Sequence, residues 1–266
     1  MCNILSSMSL GDGKMMREMA VMSGVEVDVQ GAIATVRFDR GGKANALSHE
    51  MIGALEAAAY RLSLDPDISV VVLAGTSKIF AAGVDLKDER LWTPRGPAVA
   101  RHLSMNAGAR MTTAWRRLPQ IVIAALEGPA IGGGAILALC ADFRVMAEDA
   151  YLRFPEVRLG MTLGWGGLPL LTERVGAGRA KRILCCDEAI GADEALTLGL
   201  ADRKVAQGAA LDEGRKWATE IAEIPPMSLR MTKSAIDAHA RRNWAEGAES
   251  DQFFLAKLLA EGGGGA

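Results

Sequence analysis

The stretch AIGGGAILALC, at Ala130–Cys140, decides how the middle of this chain folds. It follows Ile121–Gly128, an apolar run typical of a buried strand, and continues as a segment that is apolar on all sides, which predicts a buried helix. Three consecutive glycines cost conformational entropy, but they leave bare peptide N–H groups at a helix N-terminus, where the helix dipole favours negative charge. The pattern leaves two interpretations open: close packing of the helix, or binding of an anion.

The glycine run does not match the familiar phosphate-binding motifs. It lacks the G-x-G-x-x-G spacing of dinucleotide-binding loops, and the chain contains no G-x-x-x-x-G-K-[ST] motif. The other use of such N–H groups is an oxyanion hole, in which backbone donors stabilise negative charge that develops during a reaction.

A second loop of similar composition, IFAAGVDLKDE at Ile79–Glu89, follows the predicted buried strand Ser69–Gly75. Loops at the carboxyl ends of parallel strands form the binding crevice of such sheets. We therefore expect the two loops to donate one N–H group each to the same oxygen atom. For Asp85, within the second loop, a helix cap is as good an interpretation as a functional role.

Composition narrows the class of protein. The chain has 266 residues, 50% of them hydrophobic, and a formal net charge of −2. This predicts one large domain and gives no electrostatic reason to expect nucleic acid or a membrane as a partner. Cysteines without disulfide or CxxC spacing predict a reducing, cytoplasmic location; they are Cys2, Cys140, Cys185 and Cys186. No metal is expected from the spacing of the histidines, which are His49, His102 and His239.

Alternating strand and helix patterns predict the fold class. Two β-rich runs, Val25–Gln30 and Ile33–Phe38, predict a hairpin. Ser48 is placed to cap a helix, and Ala98–Leu118 has helical periodicity. With the buried strands, these elements predict an α/β fold with a mostly parallel sheet. We divide the chain into a flexible tail at 1–24, an α/β core at 25–200 and a C-terminal helical region at 201–266.

A candidate acid or base lies in RFPEVRLG, at Arg153–Gly160, where Glu156 stands between a proline and apolar residues. A partly buried glutamate has a raised pKa, which makes it a better base or acid near neutral pH. The alternative interpretation is a salt bridge with Arg153 or Arg158. A serine hydrolase is not favoured, because the chain has no G-x-S-x-G elbow.

Six stretches of the chain, in this order, resemble the crotonase, or enoyl-CoA hydratase/isomerase, superfamily. They are GGKANALS (Gly41–Ser48), IFAAGVDLKDE (Ile79–Glu89), EGPAIGGGAILALCADFRVMAED (Glu127–Asp149), FPEVRLGMTLGWGG (Phe154–Gly167), ADEALTLGLADRKV (Ala192–Val205) and MTKSAI (Met231–Ile236). The resemblance runs from about Val25 to Phe254. Each motif is modest alone, and their shared order is what identifies the family.

The resemblance implies a spiral of repeated ββα units, followed by a C-terminal helical region that drives trimerisation, with trimers often pairing into hexamers. It also implies an acyl-CoA thioester substrate, so that coenzyme A enters as part of the substrate and no separate cofactor is needed. The backbone N–H groups of Val84 and Gly133 would hold the thioester oxygen while an enolate forms. Other implied substrate contacts are Lys43, Ala44, Ala46, Ala82, Asp85, Leu86, Gly132, Ile136, Pro155 and Trp165, although a core position is an equal interpretation for Trp165.

The chain departs from the hydratases of this family at Ile136. They have a glutamate there, three residues after the central glycine, and a second glutamate in the PE motif, here Glu156. A single glutamate in the PE motif resembles the enoyl-CoA isomerases, in which one carboxylate moves a proton along the acyl chain without water. The dienoyl isomerases fit less well, because their second acid would fall at Gly164. We therefore expect double-bond isomerisation with Glu156 as the single acid/base.

Two alternatives stay open. One is a hydratase, hydrolase or decarboxylase of the same superfamily that recruits a held water or another acid, such as Asp88 or Glu89. The other is a non-catalytic member that binds acyl-CoA or RNA, although no basic stripe supports RNA. Family members usually continue beyond AKLLAEGGGGA, at 256–266, with a basic, aromatic helix that helps cover coenzyme A, so we expect those contacts to be missing.

Overall fold

A computed structural model describes residues 20–92 and 94–240 of the chain. The strands are β1 (Ala20–Met22), β2 (Val25–Gln30), β3 (Ile33–Phe38), β4 (Val70–Ala74), β5 (Ile121–Leu126), β6 (Ala130–Ile131), β7 (Phe143–Ala147), β8 (Tyr151–Arg153), β9 (Ile190–Gly191) and β10 (Arg203–Val205). The α-helices are α1 (His49–Ser63), α2 (Glu89–Trp92), α3 (Ala98–Met105), α4 (Ala107–Arg116), α5 (Gly133–Leu139), α6 (Gly167–Cys186), α7 (Ala192–Leu198), α8 (Ala210–Ala222) and α9 (Pro226–Ala240). Short 3₁₀ helices span Lys43–Asn45 and Pro155–Leu159.

Seven of the strands form one sheet in the order β1-β2-β3-β4-β5-β7-β10. The predicted hairpin is confirmed as β2 and β3, with Val25 paired to Phe38 and Gln30 to Ile33. From β3 to β10 every neighbouring pair in this sheet is parallel. Strands β6, β8 and β9 form a second sheet. The predicted α/β class with a mostly parallel sheet is therefore confirmed.

The central strands are buried on both faces because they are apolar throughout. All five residues of β4, VVVLA, are buried, and successive side chains point to opposite faces of a strand. Val71 and Leu73 belong to the larger apolar cluster, which includes residues of α1, α4 and α5. Val70 and Val72 belong to a smaller cluster completed by α8. Helices on both faces are the arrangement that a parallel sheet requires.

The segment Ala98–Leu118 is helical, as its periodicity predicted, but the structure has two helices there, which meet at Asn106. The two helices have different surroundings. No residue of α3 is buried, whereas α4 buries residues such as Met111 and Trp115. Both halves have helical periodicity, so the sequence pattern did not reveal the break.

Two predicted boundaries also differ from the structure. Strand β1, Ala20–Met22, pairs with β2, so residues 20–22 belong to the sheet rather than to a tail. The core continues past residue 200, because β10 pairs with β7 and α8 packs on the sheet. A Cβ on Gly214 of α8 would lie only 3.3 Å from the side chain of Val72, so this helix packs closely on β4.

The remaining predictions on the two ends of the chain, at 1–19 and 241–266, lie outside the described residues. Within the described part, no helix combines the length and apolar character needed to cross a membrane. The same residues contain no group of three or more His, Cys, Asp or Glu side chains that could hold a metal ion.

Candidate active site

The two small-residue loops predicted to cooperate lie side by side. Ala81 and Ala130 form a parallel bridge, in which the Ile131 N–H donates to the Ala81 carbonyl at 2.9 Å. Two residues further on, Gly83 has a φ of +88°, and a Cβ there would lie 2.7 Å from the Ile131 carbonyl oxygen and 3.6 Å from the Gly133 nitrogen. Only glycine allows this approach, so Gly83 brings the backbone of the second loop to the start of α5.

Two N–H groups at this junction have no hydrogen-bond partner among the described residues. Among the hydrogen bonds of the described residues, none is donated by the backbone N–H of Val84 or Gly133. The residues around Val84 are held in place, because Leu47 donates to the Gly83 carbonyl at 2.7 Å and accepts from the Asp85 N–H at 2.9 Å. Gly133 opens α5, where the unpaired N–H groups and the helix dipole favour negative charge.

The glycines of the stretch Ala130–Cys140 have different structural roles. A Cβ on Gly134 would lie 2.6 Å from the Ala81 side chain, so Gly134 serves close helix packing. Gly132 precedes the helix and faces Glu156, because a Cβ on Gly132 would lie 3.1 Å from the Glu156 Oε1. All seven residues of α5 are buried, as predicted.

Glu156 is buried without a salt bridge. It lies in the 3₁₀ helix Pro155–Leu159 and is 9% exposed. Within the described part of the chain, its Oε2 has no hydrogen-bond partner. Burial raises the pKa of Glu156 to about 7; its own backbone N–H opposes this shift, and the charge of Asp187 adds to it. The alternative interpretation, a salt bridge with Arg153 or Arg158, is wrong, because both arginines pair with Asp187.

A cavity of about 170 Å³ connects these groups. Glu156 is the only titratable side chain among the described residues that line it. Ile136 lines it as well, and the tight contact of Ile136 with Gly167, on which a Cβ would lie 2.8 Å from the Ile136 Cγ1, keeps this side chain in place. The lining residues are Ala82, Gly83, Val84, Leu86, Leu91, Trp92, Met105, Ile131, Gly132, Gly133, Ile136, Pro155, Glu156, Leu159, Met161, Gly164 and Trp165.

Trp165 is both a packing residue and part of the cavity wall. Its ring fills the space beside two glycines, since a Cβ would lie 1.9 Å from the ring on Gly108 and 2.4 Å from it on Gly133. Its backbone has a φ of +53°, and its carbonyl accepts a 2.8 Å hydrogen bond from the Thr112 hydroxyl. The two interpretations that we gave for Trp165 are therefore compatible.

The residues expected to contact coenzyme A form a rim beside the cavity. Lys43 and Ala44 are exposed, and the Ala44 carbonyl accepts from the Ala82 N–H at 3.1 Å. Ala82 and Leu86 also line the cavity, whereas Lys43, Ala44 and Ala46 do not. The neighbouring Asn45 is buried, and its amide donates to the carbonyls of Phe80 and Phe38 at 2.7 and 3.1 Å, which fixes the rim to the core.

The acidic residues of the second loop have structural partners. Asp85 forms a 2.6 Å ion pair with Arg40, and the hydrogen bond from the Lys87 N–H is the largest of the effects that lower its pKa. The capping role that we considered for Asp85 falls to Asp88, which accepts from the Arg90 and His49 N–H groups. Neither Asp88 nor Glu89 lines the cavity, so the structure does not support either as a second acid.

Two residues that position the site were missed by the sequence analysis. Gly83 matters through the close approach described above, which depends on pairing between distant loops. Asp187 collects both arginines around Glu156. The two arginines that flank Glu156 were a usable signal, because arginines so close together need a carboxylate partner. That partner had to be either Glu156 or another acidic residue.

The fold and the site define an α/β protein with an apolar cavity in which two free backbone N–H groups accompany one buried carboxylate. The chain belongs to the enoyl-CoA hydratase/isomerase family, whose model matches residues 28–262, and it is an enzyme of that family. It is 31% identical over 224 residues to "Probable enoyl-CoA hydratase echA8" of Mycobacterium leprae, covering 83% of this chain and 84% of the relative. It is 33% identical over 228 residues to "Probable enoyl-CoA hydratase 2, mitochondrial" of Arabidopsis thaliana, covering 85% and 74%.

Solved structures agree with this assignment. The crystal structure of an enoyl-CoA hydratase from Bacillus anthracis superposes with a TM-score of 0.76 at 29% identity, covering 89% of this chain and 91% of that one. An enoyl-CoA hydratase/isomerase from Mycobacterium paratuberculosis gives a TM-score of 0.79 at 26% identity, covering 90% and 96%. The predicted crotonase-like fold is thereby confirmed.

Proposed function

We propose that this protein is an enoyl-CoA isomerase that moves a carbon–carbon double bond from position 3 to position 2 of an acyl-CoA thioester. The observation that carries the proposal is the cavity lining, in which Glu156 is the one titratable side chain among the described residues. Ile136 occupies the position at which a hydratase of this family would carry its other glutamate. One carboxylate is enough for a proton shift, whereas adding water across a double bond needs a second group to activate it.

In the proposed reaction, the Glu156 carboxylate removes a proton from C2 of the 3-enoyl thioester. The electron pair of the broken C–H bond moves toward the thioester carbonyl, forming a dienolate whose oxygen accepts hydrogen bonds from the Val84 and Gly133 N–H groups. Such a donor is worth roughly 3–4 kcal/mol of barrier. The Glu156 carboxylic acid then returns the proton to C4, which leaves the double bond between C2 and C3 and restores the carboxylate. No atom is gained or lost.

The surroundings of Glu156 suit both halves of this cycle. Burial raises its pKa to about 7, so that near neutral pH the group can both take up and return a proton. The apolar wall formed by residues such as Ile136, Met161 and Trp165 excludes water that would otherwise compete for the dienolate.

We place the coenzyme A moiety at the rim formed by Lys43, Ala44, Ala46, Ala82, Asp85 and Leu86, since this rim adjoins the cavity that would hold the acyl group. We also propose assembly into a homotrimer or a hexamer of paired trimers. Helix α9 supports it, because α9 exposes Met227, Met231 and Ile236, and large exposed apolar groups in one element favour an interface. Light scattering on a size-exclusion column measures the assembly directly.

A second candidate function is hydration of a 2-enoyl-CoA. Its support is the similarity to relatives that include two proteins named as probable enoyl-CoA hydratases. The two reactions differ in mass balance, because hydration adds one water to the substrate and isomerisation adds none.

The experiment is to incubate the protein in ¹⁸O-labelled water with a 3-enoyl-CoA and, separately, with a 2-enoyl-CoA, and to identify products by chromatography and mass. Conversion of the 3-enoyl ester to the 2-enoyl ester without a mass gain is expected. Labelled 3-hydroxyacyl-CoA formed rapidly from the 2-enoyl ester, with no isomerisation, would instead establish the hydratase. The Glu156→Gln variant is the matched control, since any true turnover by this site should vanish with the carboxylate.

A further inference from the structure

The segment that carries Glu156 is held by basic side chains on both sides. Arg153 precedes Glu156 at the end of β8, and Arg158 follows it within the 3₁₀ helix. Both pair with Asp187. The Arg153 Nε and Nη2 contact the two carboxylate oxygens at 2.9 and 2.5 Å, and the Arg158 Nε contacts Oδ2 at 2.5 Å. One carboxylate therefore ties together the two ends of the turn that presents Glu156.

Asp187 is itself held rigidly. Its side chain is only 2% exposed, and the bidentate hydrogen bond from Arg153 is the largest of the effects that lower its pKa. Its backbone, at φ 54° and ψ 44°, ends α6 in the left-handed region, and its N–H bonds to the Ile183 carbonyl. Glycine adopts this conformation most easily, and aspartate and asparagine are among the few other residues that tolerate it. The aspartate therefore accepts some backbone strain at a position where its side chain binds two arginines.

The same contacts reach the backbone N–H site. The Arg153 carbonyl accepts a 2.8 Å hydrogen bond from the Gly132 N–H, and β8 pairs with β6 just before Gly132. Gly132 is adjacent to Gly133 and faces the Glu156 carboxylate. Asp187 thus binds the side chain of Arg153, and the backbone of Arg153 is hydrogen-bonded to Gly132, which lies beside both the Gly133 N–H and the Glu156 carboxylate.

Glu156 needs such support because none of the described residues orients it with a side chain. Its Oε2 has no hydrogen-bond partner, and the described residues of the cavity wall include no other titratable group. The charged groups around its segment are Asp187, Arg153 and Arg158. Its direction therefore depends on the turn in which it lies.

We propose that Asp187 is a positioning residue for Glu156: by pairing with Arg153 and Arg158 it holds the turn that aims the Glu156 carboxylate at the substrate beside Gly133. This inference rests on the proposed isomerase function for its kinetic consequences. Its structural content, that Asp187 sets the environment of Glu156, is independent of the reaction.

The test is Asp187→Asn in the full chain, because asparagine tolerates the left-handed backbone and removes only the charge and part of the hydrogen bonding. We expect kcat for isomerisation to fall about 10- to 100-fold, the loss that misplacement of a reacting group causes, with KM changed by less than about threefold. The acid limb of the kcat–pH profile should move to lower pH. Burial, the main cause of the raised Glu156 pKa, is unchanged, but the smaller contribution of the Asp187 charge is gone and two arginines are left uncompensated. An unchanged kcat together with an unchanged pH profile would overturn the proposal.

Arg158→Gln is the second variant, and the largely exposed position of Arg158, 68%, makes it safe for folding. It removes one of the cations that neutralise Asp187, so the acid limb should move to higher pH, opposite to Asp187→Asn. A loss of thermal stability alone would leave the acid limb of the kcat–pH profile unchanged in both variants. In the Glu156→Gln background, Asp187→Asn should cause no further loss of activity; an additional loss would mean that Asp187 acts by another route.

The failure of this inference can be separated from the failure of the proposed function. Infrared difference spectra follow the titration of the Glu156 carboxyl without substrate, with Glu156→Gln identifying the band. Opposite shifts of this titration in Asp187→Asn and Arg158→Gln would support the inference even if the protein hydrates rather than isomerises. Identical titrations in all three proteins, together with an unchanged kcat in Asp187→Asn, would overturn it.

Discussion

Glu127 and Glu156 are two buried glutamates of the same core, and they differ in what surrounds their carboxylates. Their exposed fractions are similar, 6% and 9%. Glu127 accepts hydrogen bonds from the Gly208 and Ala210 N–H groups at 2.9 and 2.6 Å, at the N-terminus of α8. Glu156 has an oxygen without a hydrogen-bond partner among the residues that the structure describes, and a pKa raised by burial to about 7.

The comparison shows that burial alone does not make a carboxylate reactive. Backbone N–H donors and a helix N-terminus stabilise the charged form, and a carboxylate so bound is a structural link. A carboxylate buried without donors favours its protonated form, so it can exchange a proton near neutral pH. Substitutions at the two glutamates, and at the cavity position Ile136, test this difference.

The largest expected effect is on activity. Glu156→Gln should lower kcat for isomerisation by about 10²–10⁴-fold, because the amide cannot exchange the proton, while the affinity for a CoA ester measured by calorimetry stays within about threefold. Glu127→Gln is the matched control and should retain activity per folded molecule. Equal activity losses in the two variants would mean that burial, and not the missing donors, distinguishes the functional glutamate.

The next effect concerns the reaction catalysed. Ile136→Glu places a second carboxylate in the cavity, where it could activate water, and we expect hydration of a 2-enoyl-CoA to rise by about 10²-fold over the unmodified protein. Ile136→Gln matches it in size without the charge and should show no such rise. The products are measured by mass after incubation with the 2-enoyl ester. Equal hydration by both variants would show that cavity shape, and not a missing acid, sets the reaction.

The third effect is on stability and depends on pH. The folded-state pKa of Glu156, about 7, lies above its value in the unfolded chain, so folding favours the protonated form. Below the pKa that Glu156 has in the unfolded chain, its ionisation therefore does not reduce stability. The loss of folding free energy grows as pH rises to about 7 and is then constant. At pH 8.5, Glu156→Gln should unfold at a higher urea concentration than the unmodified protein, with a free energy of unfolding larger by about 3 kcal/mol, and the gain should vanish near pH 4. A gain independent of pH would contradict this reasoning.

Local sequence patterns predicted the scaffold well, for a physical reason. The β-branched runs of β4 and β5 and the hairpin of β2 and β3 are each determined by residues close together in the chain. The break at Asn106 was not predicted because helical periodicity continues on both sides of it. Which surface each half contacts depends on distant elements.

The candidate site was predictable in part. Glu156 stood out because a proline and apolar neighbours suggested burial. The sequence did not reveal that both neighbouring arginines pair with another acid, because that acid, Asp187, lies in a distant part of the chain. The N–H groups of Val84 and Gly133 entered through the family resemblance, because a backbone donor leaves no trace in residue identity. Their approach depends on the bridge between Ala81 and Ala130, a long-range pairing that local spacing does not encode.

Glu127 was not singled out in the sequence, and it provides the smallest of the expected effects. Its carboxylate links the loop after β5 to the first N–H groups of α8, so Glu127→Gln, which keeps one acceptor oxygen but loses the charge, should destabilise the fold by about 1–2 kcal/mol. The loss should appear as a lower urea midpoint at pH 8.5, opposite in sign to the change in Glu156→Gln. If both variants shifted the midpoint in the same direction, the two carboxylates would be equivalent in the folded state, and the proposed difference between a bonded and an unbonded glutamate would fail.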